Sequence, residues 1–311
     1  MDPCELTVVD ARAALGRRDL SYSEYVDALL ARATAWRSLN ALAAQHAEAL
    51  RSAATAIDRS GAARTGRRAL EGVPIALKDN IDTVALPTTG GTGALAGHRP
   101  PKDAPVAQRL FAAGGLLADK TNMHELAFGI TCNNAVIGAV RNPYDPDRIP
   151  GGSSGGSAAA VSARMVPAAL GTDTGATVRL PAALRGVVGF RPTVGRCPGC
   201  GVIPISHTRD TVGPIRRSVA DTMLFDSVPA GSGEPAAAPN LRGLRLGLAR
   251  GCFFSNLGAS IAPVIEAAPQ KLRAPVRNSS KRKPPTLVHQ GRVLLHTFRW
   301  RNHHGFQSRF S

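Results

Sequence analysis

Apolar and polar positions follow more than one rhythm along this 311-residue chain. Over residues 5–58 the apolar positions recur at helical spacing. Ser21-x-x-Glu24 has the pattern of a capping box, and Tyr25, Leu29 and Leu30 follow it on one face. The rhythm then shortens. Val73–Leu77 is an apolar run that stops at Lys78, as in a buried strand with a lysine at its tip. Val106–Phe111 reads as helix, Gly115–Leu117 as strand, and Met123–Phe128 as a short helix after the Thr121-Asn122 turn. Strand and helix patterns keep alternating as far as Leu224, which predicts an α/β fold with a central sheet flanked by helices. Pro229–Pro239, rich in Gly, Pro and Ala, predicts a loop, and Leu244–Leu248 a further strand. No internal repeat is visible.

One stretch fits neither rhythm. Ile149–Ala163 carries no charge and is mostly Gly, Ser and Ala; it runs into helix-forming Ala158–Met165 and apolar Val166–Leu170. A second small-residue loop, Gly171-Thr-Asp-Thr-Gly-Ala-Thr177, follows at once. A Gly/Ser linker has similar composition, but a linker does not continue into helix and strand. A phosphate-binding loop would close its Gly run with Lys-Ser/Thr, and none is present. Two such loops, each leading into a helix-forming run, predict oriented backbone N–H groups, suited to chemistry that develops negative charge on oxygen.

Charge changes the picture at one end only. The formal net charge is +16, but the 45 residues after Glu266 contain ten Lys and Arg and no acid. Without them the chain holds 28 basic and 22 acidic residues, or +6. In that tail, basic residues interleave with Phe298, Trp300, Phe306 and Phe310, which taken alone suits nucleic acid. An abrupt acid-free switch after about Leu272 also fits a shifted reading frame or a misjoined gene end. That reading is preferred here, which weighs against a nucleic-acid partner. The N-terminus lacks a signal peptide's apolar segment and no run reaches membrane-spanning length, so a cytoplasmic protein is expected. The five cysteines, at 4, 132, 197, 200 and 252, suggest no disulfide framework. Cys197-Pro-Gly-Cys200 is read as a surface turn with incidental thiols, since no second metal-ligand pair follows it. His124-Glu125 is not a zinc motif, because Phe128 stands where a second histidine is needed.

The motifs Gly151-Gly-Ser-Ser-Gly-Gly-Ser157, Gly171-Thr-Asp-Thr-Gly175 and Gly186-Val-Val-Gly-Phe-Arg-Pro-Thr193 closely resemble the amidase signature family. The likeness extends to Gly72-Val-Pro-Ile-Ala-Leu-Lys-Asp-Asn80, Lys120-Thr-Asn122 and Pro204-Ile-Ser-His-Thr-Arg-Asp-Thr211, and runs from about Leu20 to about Leu272. Met123-His-Glu-Leu-Ala-Phe-Gly-Ile-Thr131 and Arg141-Asn-Pro-Tyr-Asp145 resemble the aryl-acetamide branch, the mandelamide and indoleacetamide hydrolases.

The resemblance implies a mixed sheet whose C-terminal part is missing here. It divides the chain into an N-terminal helical segment (1–70), an incomplete core (71–272) and a basic, disordered tail (273–311). It also implies a Ser–Ser–Lys arrangement, with Lys78 as base, Ser153 as bridging hydroxyl and Thr177 at the nucleophile's position. Ser154 would support Ser153, and Asp173 would pair with Arg179. The backbone N–H groups of Thr174, Gly175, Ala176 and Thr177 would form the oxyanion hole, and Leu126, Ala127, Phe128 and Gly129 the acyl pocket. A lysine serves as base only where burial lowers its pKa, and the apolar run before Lys78 suits that. The implied reaction hydrolyses a small, aromatic primary amide through an acyl-enzyme, with no metal or organic cofactor; homodimerisation stays open.

The chain departs from the family pattern at four places: Ala176-Thr177 for Gly-Ser, Asp119 for Gly, and Arg185 for a small residue. Three rival readings follow: a catalytically impaired relic, the amidase subunit of an amidotransferase, or a nucleic-acid binder on a dead amidase scaffold.

Overall fold

The computed structural model describes residues 2–60, 68–232, 245–273 and 278–280. Contacts divide the chain into two units, Met1–Ala236 and Ala237–Ser311. The first begins with α1 (Val8–Arg17) and α2 (Tyr22–Ala35). Ser21 and Glu24 exchange reciprocal hydrogen bonds that cap α2, and Tyr25, Val26, Leu29 and Leu30 are buried on its inner face. The helical reading of residues 5–58 misses β1 (Leu42–Gln45), which precedes α3 (Ala47–Ser60). Four residues rich in Ala carry no strand propensity; β1 exists because the edge of the sheet offers it partners.

Next come β2 (Pro74–Lys78), α4 (Pro105–Ala112), β3 (Leu116–Thr121), α5 (Gly155–Ser162) and β4 (Ala168–Asp173). The unit ends with α6 (Arg179–Ala183), β5 (Val188–Gly189), β6 (Thr211–Arg216) and α7 (Val219–Ala230). The six strands form one mixed sheet in the order β1-β3-β2-β4-β6-β5. Its centre, β3-β2-β4, is parallel, while β1, β6 and β5 pair antiparallel. The α/β class with a mixed sheet and flanking helices is therefore what the chain forms.

Strand alternation sorts the core into two layers. Ala76, Ala118 and Ala169 turn to one face, where they meet α5 and the N-terminal helices. Ile75, Leu77, Ala168 and Leu170 turn to the other, against α4 and α7. Alanines on the α5 face let that helix come close. All eight of its residues are buried, and a Cβ on Gly156 would lie 2.2 Å from the Asn122 carbonyl oxygen.

Three further expectations change. The strand seen at Gly115–Leu117 continues through Asp119, Lys120 and Thr121, all buried, so polarity hid its second half. The helix read over Met123–Phe128 is a single 3-10 turn, Glu125–Ala127, with Leu126 at φ 48° and Ala127 at φ 59°. The loop expected at Pro229–Pro239 starts late, because α7 runs through Pro229 to Ala230; residues 233–239 lie outside the described residues.

In the second unit, β7 (Arg245–Gly247) pairs in parallel with β8 (Asn278–Ser280), and α8 (Arg250–Phe253) and α9 (Ala262–Arg273) lie between them in sequence. An exposed ion pair, Arg250–Glu266 at 2.9 Å, links the two helices. Apart from Arg273 and Asn278–Ser280, the segment read as a basic, disordered tail lies outside the described residues. No helix among the described residues is long and apolar enough to cross a membrane.

Candidate active site

The three parallel strands end side by side, and polar side chains gather there. Lys78, the last residue of β2, stands opposite Thr121 of β3, while Thr172 and Asp173 close β4 on the other side. Carboxyl ends of parallel strands are where open α/β sheets place their sites. The turn into α5 brings Ser153 over Lys78. Nζ of Lys78 lies 2.7 Å from Ser153 Oγ and 2.8 Å from Thr172 Oγ1. Lys78 is fully buried and, among the described residues, has no carboxylate within ion-pair reach. Burial pulls its pKa down to about 7, against the opposing influence of Cys132, Asp173 and Asp210. A lysine in this state is a base near neutral pH.

Ser154 locks the serine turn to β4. Its Oγ donates to the Thr172 carbonyl (3.2 Å) and accepts the Thr172 N–H (3.3 Å). A Cβ on Gly171 would lie 2.6 Å from that Oγ, so the contact requires glycine.

The strand also corrects the loop expected at Gly171–Thr177, since Gly171, Thr172 and Asp173 belong to β4. The remaining loop is tied to the serine turn by the Ser154 N–H, which donates to the Thr177 carbonyl (3.2 Å). Thr177 Oγ1 donates to the Thr172 carbonyl (2.7 Å), and no hydrogen bond joins it to Ser153. The hydrogen-bonded chain from Lys78 to Ser153 thus stops one link short of residue 177. Of the four N–H groups expected in the oxyanion hole, that of Ala176 is taken by Asp173 Oδ1 (2.8 Å). That of Thr174 makes a long contact to Thr177 Oγ1 (3.4 Å). The N–H groups of Gly175 and Thr177 have no acceptor among the described residues. Ala176 sits at φ 78°, in the left-handed region that favours glycine.

Asp173 anchors this loop. It is fully buried, 3.1 Å from Arg179 Nε and 2.9 Å from Arg191 Nη1, and it also accepts the Val178 N–H. Burial alone would raise its pKa, but the hydrogen bond and charge of Arg179 and the backbone N–H groups hold it below the ordinary value.

On the far side of Ser153, the His124 N–H donates to the Ser153 carbonyl (3.2 Å), and the Leu126 N–H to the Gly90 carbonyl (2.7 Å). Ala127 is buried, while Leu126 and Phe128 are exposed and Gly129 is partly covered. A cavity of about 420 Å³ adjoins the β4 end, lined by Asn80, Thr172, Thr174, Val202, Ile203 and Asp210 among others.

Sequence reading missed four contributors. Thr172 accepts from Lys78, Asn80 Nδ2 donates to the same Thr172 Oγ1 (3.2 Å), Arg191 is a second partner of Asp173, and Cys132 contacts the serine turn. Thr172, Asn80 and Arg191 sit inside quoted motifs and were open to notice; Cys132 gave no signal beyond proximity to one. The Cys197–Cys200 turn is only half a surface feature, since Cys197 is buried and Cys200 exposed, both as free thiols. Among the described residues no cluster of three His, Cys, Asp or Glu is arranged to hold a metal.

The family profile described as Amidase matches residues 24–290. An indoleacetamide hydrolase of Rhizobium radiobacter is 52% identical over 252 residues, which cover 81% of this chain and 53% of that protein. A mandelamide hydrolase of Pseudomonas putida is 44% identical over 274 residues, 86% of this chain and 54% of that one. The chain therefore spans about half the length of these curated relatives. Among solved structures, a crystal structure of an amidase superposes with a TM-score of 0.83 at 35% identity, covering 92% of this chain and 65% of the other. The peptide amidase of Stenotrophomonas maltophilia gives 0.76 at 34% identity, covering 88% and 61%. The chain belongs to the amidase family.

Proposed function

We propose that this chain carries the catalytic apparatus of an amidase that hydrolyses a small aromatic primary amide to its carboxylate and ammonia. The observation that carries the reading is the buried contact between Lys78 Nζ and Ser153 Oγ, 2.7 Å long, with no carboxylate among the described residues within ion-pair distance of the lysine. In the proposed reaction, neutral Lys78 accepts the Ser153 proton as Ser153 takes that of Thr177 Oγ1. The threonine oxygen then attacks the amide carbonyl. For this, Thr177 leaves the Thr172 carbonyl by rotation about χ1. The oxyanion meets the N–H groups of Gly175 and Thr177, which have no acceptor among the described residues. The proton returns through Ser153 to the leaving nitrogen, ammonia departs, and water resolves the acyl-enzyme by the same route in reverse.

The aromatic acyl group is inferred from relatives named for indoleacetamide and mandelamide, and from the exposed Leu126 and Phe128 in the turn that follows His124, whose N–H bonds Ser153. The test is ammonia release from phenylacetamide, mandelamide and indole-3-acetamide by the purified full chain, with Lys78→Ala and Ser153→Ala as controls. Release that requires both side chains supports the reading; release equal in the controls, or none from any of these amides, rejects it.

A further inference from the structure

One buried nucleophilic group lies against the serine turn without a part in the reaction above. Cys132 is fully buried, and its sulfur contacts the turn twice. Sγ–H donates to the Ser153 carbonyl and the Gly155 N–H donates to Sγ, both at 3.2 Å. One thiol thus spans the residue before and the residue after Ser154, the stretch that presents Ser153 Oγ to Lys78. The packing is close on both sides: a Cβ on Gly152 would lie 2.8 Å from this sulfur, and one on Gly155 would lie 2.4 Å from it. Both glycines are therefore spaces that the sulfur fills. Cys132 also holds φ 50°, a left-handed conformation unfavourable for a residue with a Cβ. A side chain kept there against its backbone preference, with donor and acceptor both engaged, calls for a reason at that place.

We infer that Cys132 is a positioning residue that fixes Ser153 Oγ within hydrogen-bond distance of Lys78 by bracing the Ser153–Gly155 turn. The inference rests on the proposed function for its catalytic meaning, though not for its geometry. Burial raises the thiol pKa, so sulfur stays protonated and able to donate to the Ser153 carbonyl. The same shift makes it a poor nucleophile, which separates it from the hydroxyls that react. Serine offers a shorter donor and acceptor at the same place. Alanine offers neither. Glycine offers neither, but relieves the left-handed backbone.

The test compares wild type with Cys132→Ser, Cys132→Ala and Cys132→Gly by crystal structure, melting temperature and amide-hydrolysis kinetics. Expected is a Lys78 Nζ–Ser153 Oγ contact kept near 2.7 Å in wild type and Cys132→Ser, and lengthened beyond hydrogen-bond distance in Cys132→Ala and Cys132→Gly. Where turnover is measured, kcat falls about tenfold or more in Ala and Gly with KM little changed, and Ser restores it to within about threefold. If Ala proves too unstable to study, Gly, which the backbone prefers, decides. A contact unchanged in Ala or Gly, or kcat unchanged in either, overturns the inference. If the wild type itself turns nothing over, the proposed function has failed, and the measured distances still decide the role of Cys132.

Discussion

Two lysines lie buried at neighbouring strand ends, and they differ in what surrounds them. Lys120 of β3 donates to the Ile81 carbonyl (2.6 Å) and Thr88 Oγ1 (2.8 Å), with Asp79 at 3.7 Å. Among the described residues, Lys78 of β2 hydrogen-bonds only the hydroxyls of Ser153 and Thr172. Burial lowers both, to about 8 for Lys120, where Asp79 pulls back upward, and to about 7 for Lys78. Lys120 pins the loop after β2 with a carboxylate beside it. Lys78 has no such partner, and its hydroxyl neighbours can pass a proton onward. A buried amine becomes a base through the lack of a counter-ion combined with an exchangeable neighbour, and burial alone does not make it one.

The first way to break this contrast is to remove each lysine in turn. Lys78→Ala is expected to cost two to four orders of magnitude in amide hydrolysis, roughly the worth of an acid/base group, while the protein stays folded. Circular dichroism and turnover check both halves. Lys120→Met should instead act on stability, by about 3 kcal/mol, because it leaves Asp79 buried without its cation. Urea unfolding reads that loss, and a Lys120→Met protein as stable as wild type would remove the distinction between the two.

A smaller effect is expected at residue 177. Thr177 is buried, and it carries one methyl group more than a serine would at the nucleophile's position proposed above. One surplus methyl costs about 1–3 kcal/mol, so Thr177→Ser should raise hydrolysis roughly 5- to 200-fold if the strain falls on the transition state. Ala176→Gly, which relieves φ 78°, should add to it. A well-folded Thr177→Ser protein no faster than wild type would locate the constraint elsewhere.

The smallest effect concerns Asp119, a carboxylate buried in β3 with Oδ1 unpartnered. Burial raises its pKa to about 7, against a minor lowering by the His46 N–H. The unfolded chain loses this proton near pH 4 and the folded chain near 7, so stability should fall as pH rises through that window. Asp119→Ala should flatten the decline and raise the melting temperature at pH 7.5 by a few degrees. Lys78, lowered in the fold, acts in a separate window: its burial cost is full below about 7 and relieved towards 10.5.

The sequence made the α/β class legible wherever apolar rhythm was strong, as in α2 and the first part of β2. It hid β1, whose four Ala-rich residues owe their strand to β3, and the second half of β3, where Asp119-Lys120-Thr121 look like surface and are core. At the site, Lys78 and Ser153 could be matched through motifs, and their contact required the fold. Two details were out of reach of any motif. Thr177 Oγ1 turns to the Thr172 carbonyl, and the Ala176 N–H serves Asp173, because side-chain rotamers and loop hydrogen bonds are decided by packing rather than by residue type. Cys132 was invisible for the same reason, since nothing in Ile-Thr-Cys-Asn-Asn announces a left-handed backbone.

The central claim, that Lys78 is neutral where it is needed, can be measured without any substrate. Nitrogen-15 NMR of the lysine side chains across pH 5–11, with Lys78→Met to assign the signal, reports its protonation directly. The account predicts a titration near 7 for Lys78, with Lys120 above it. A Lys78 signal that stays protonated to pH 9 or beyond would contradict it.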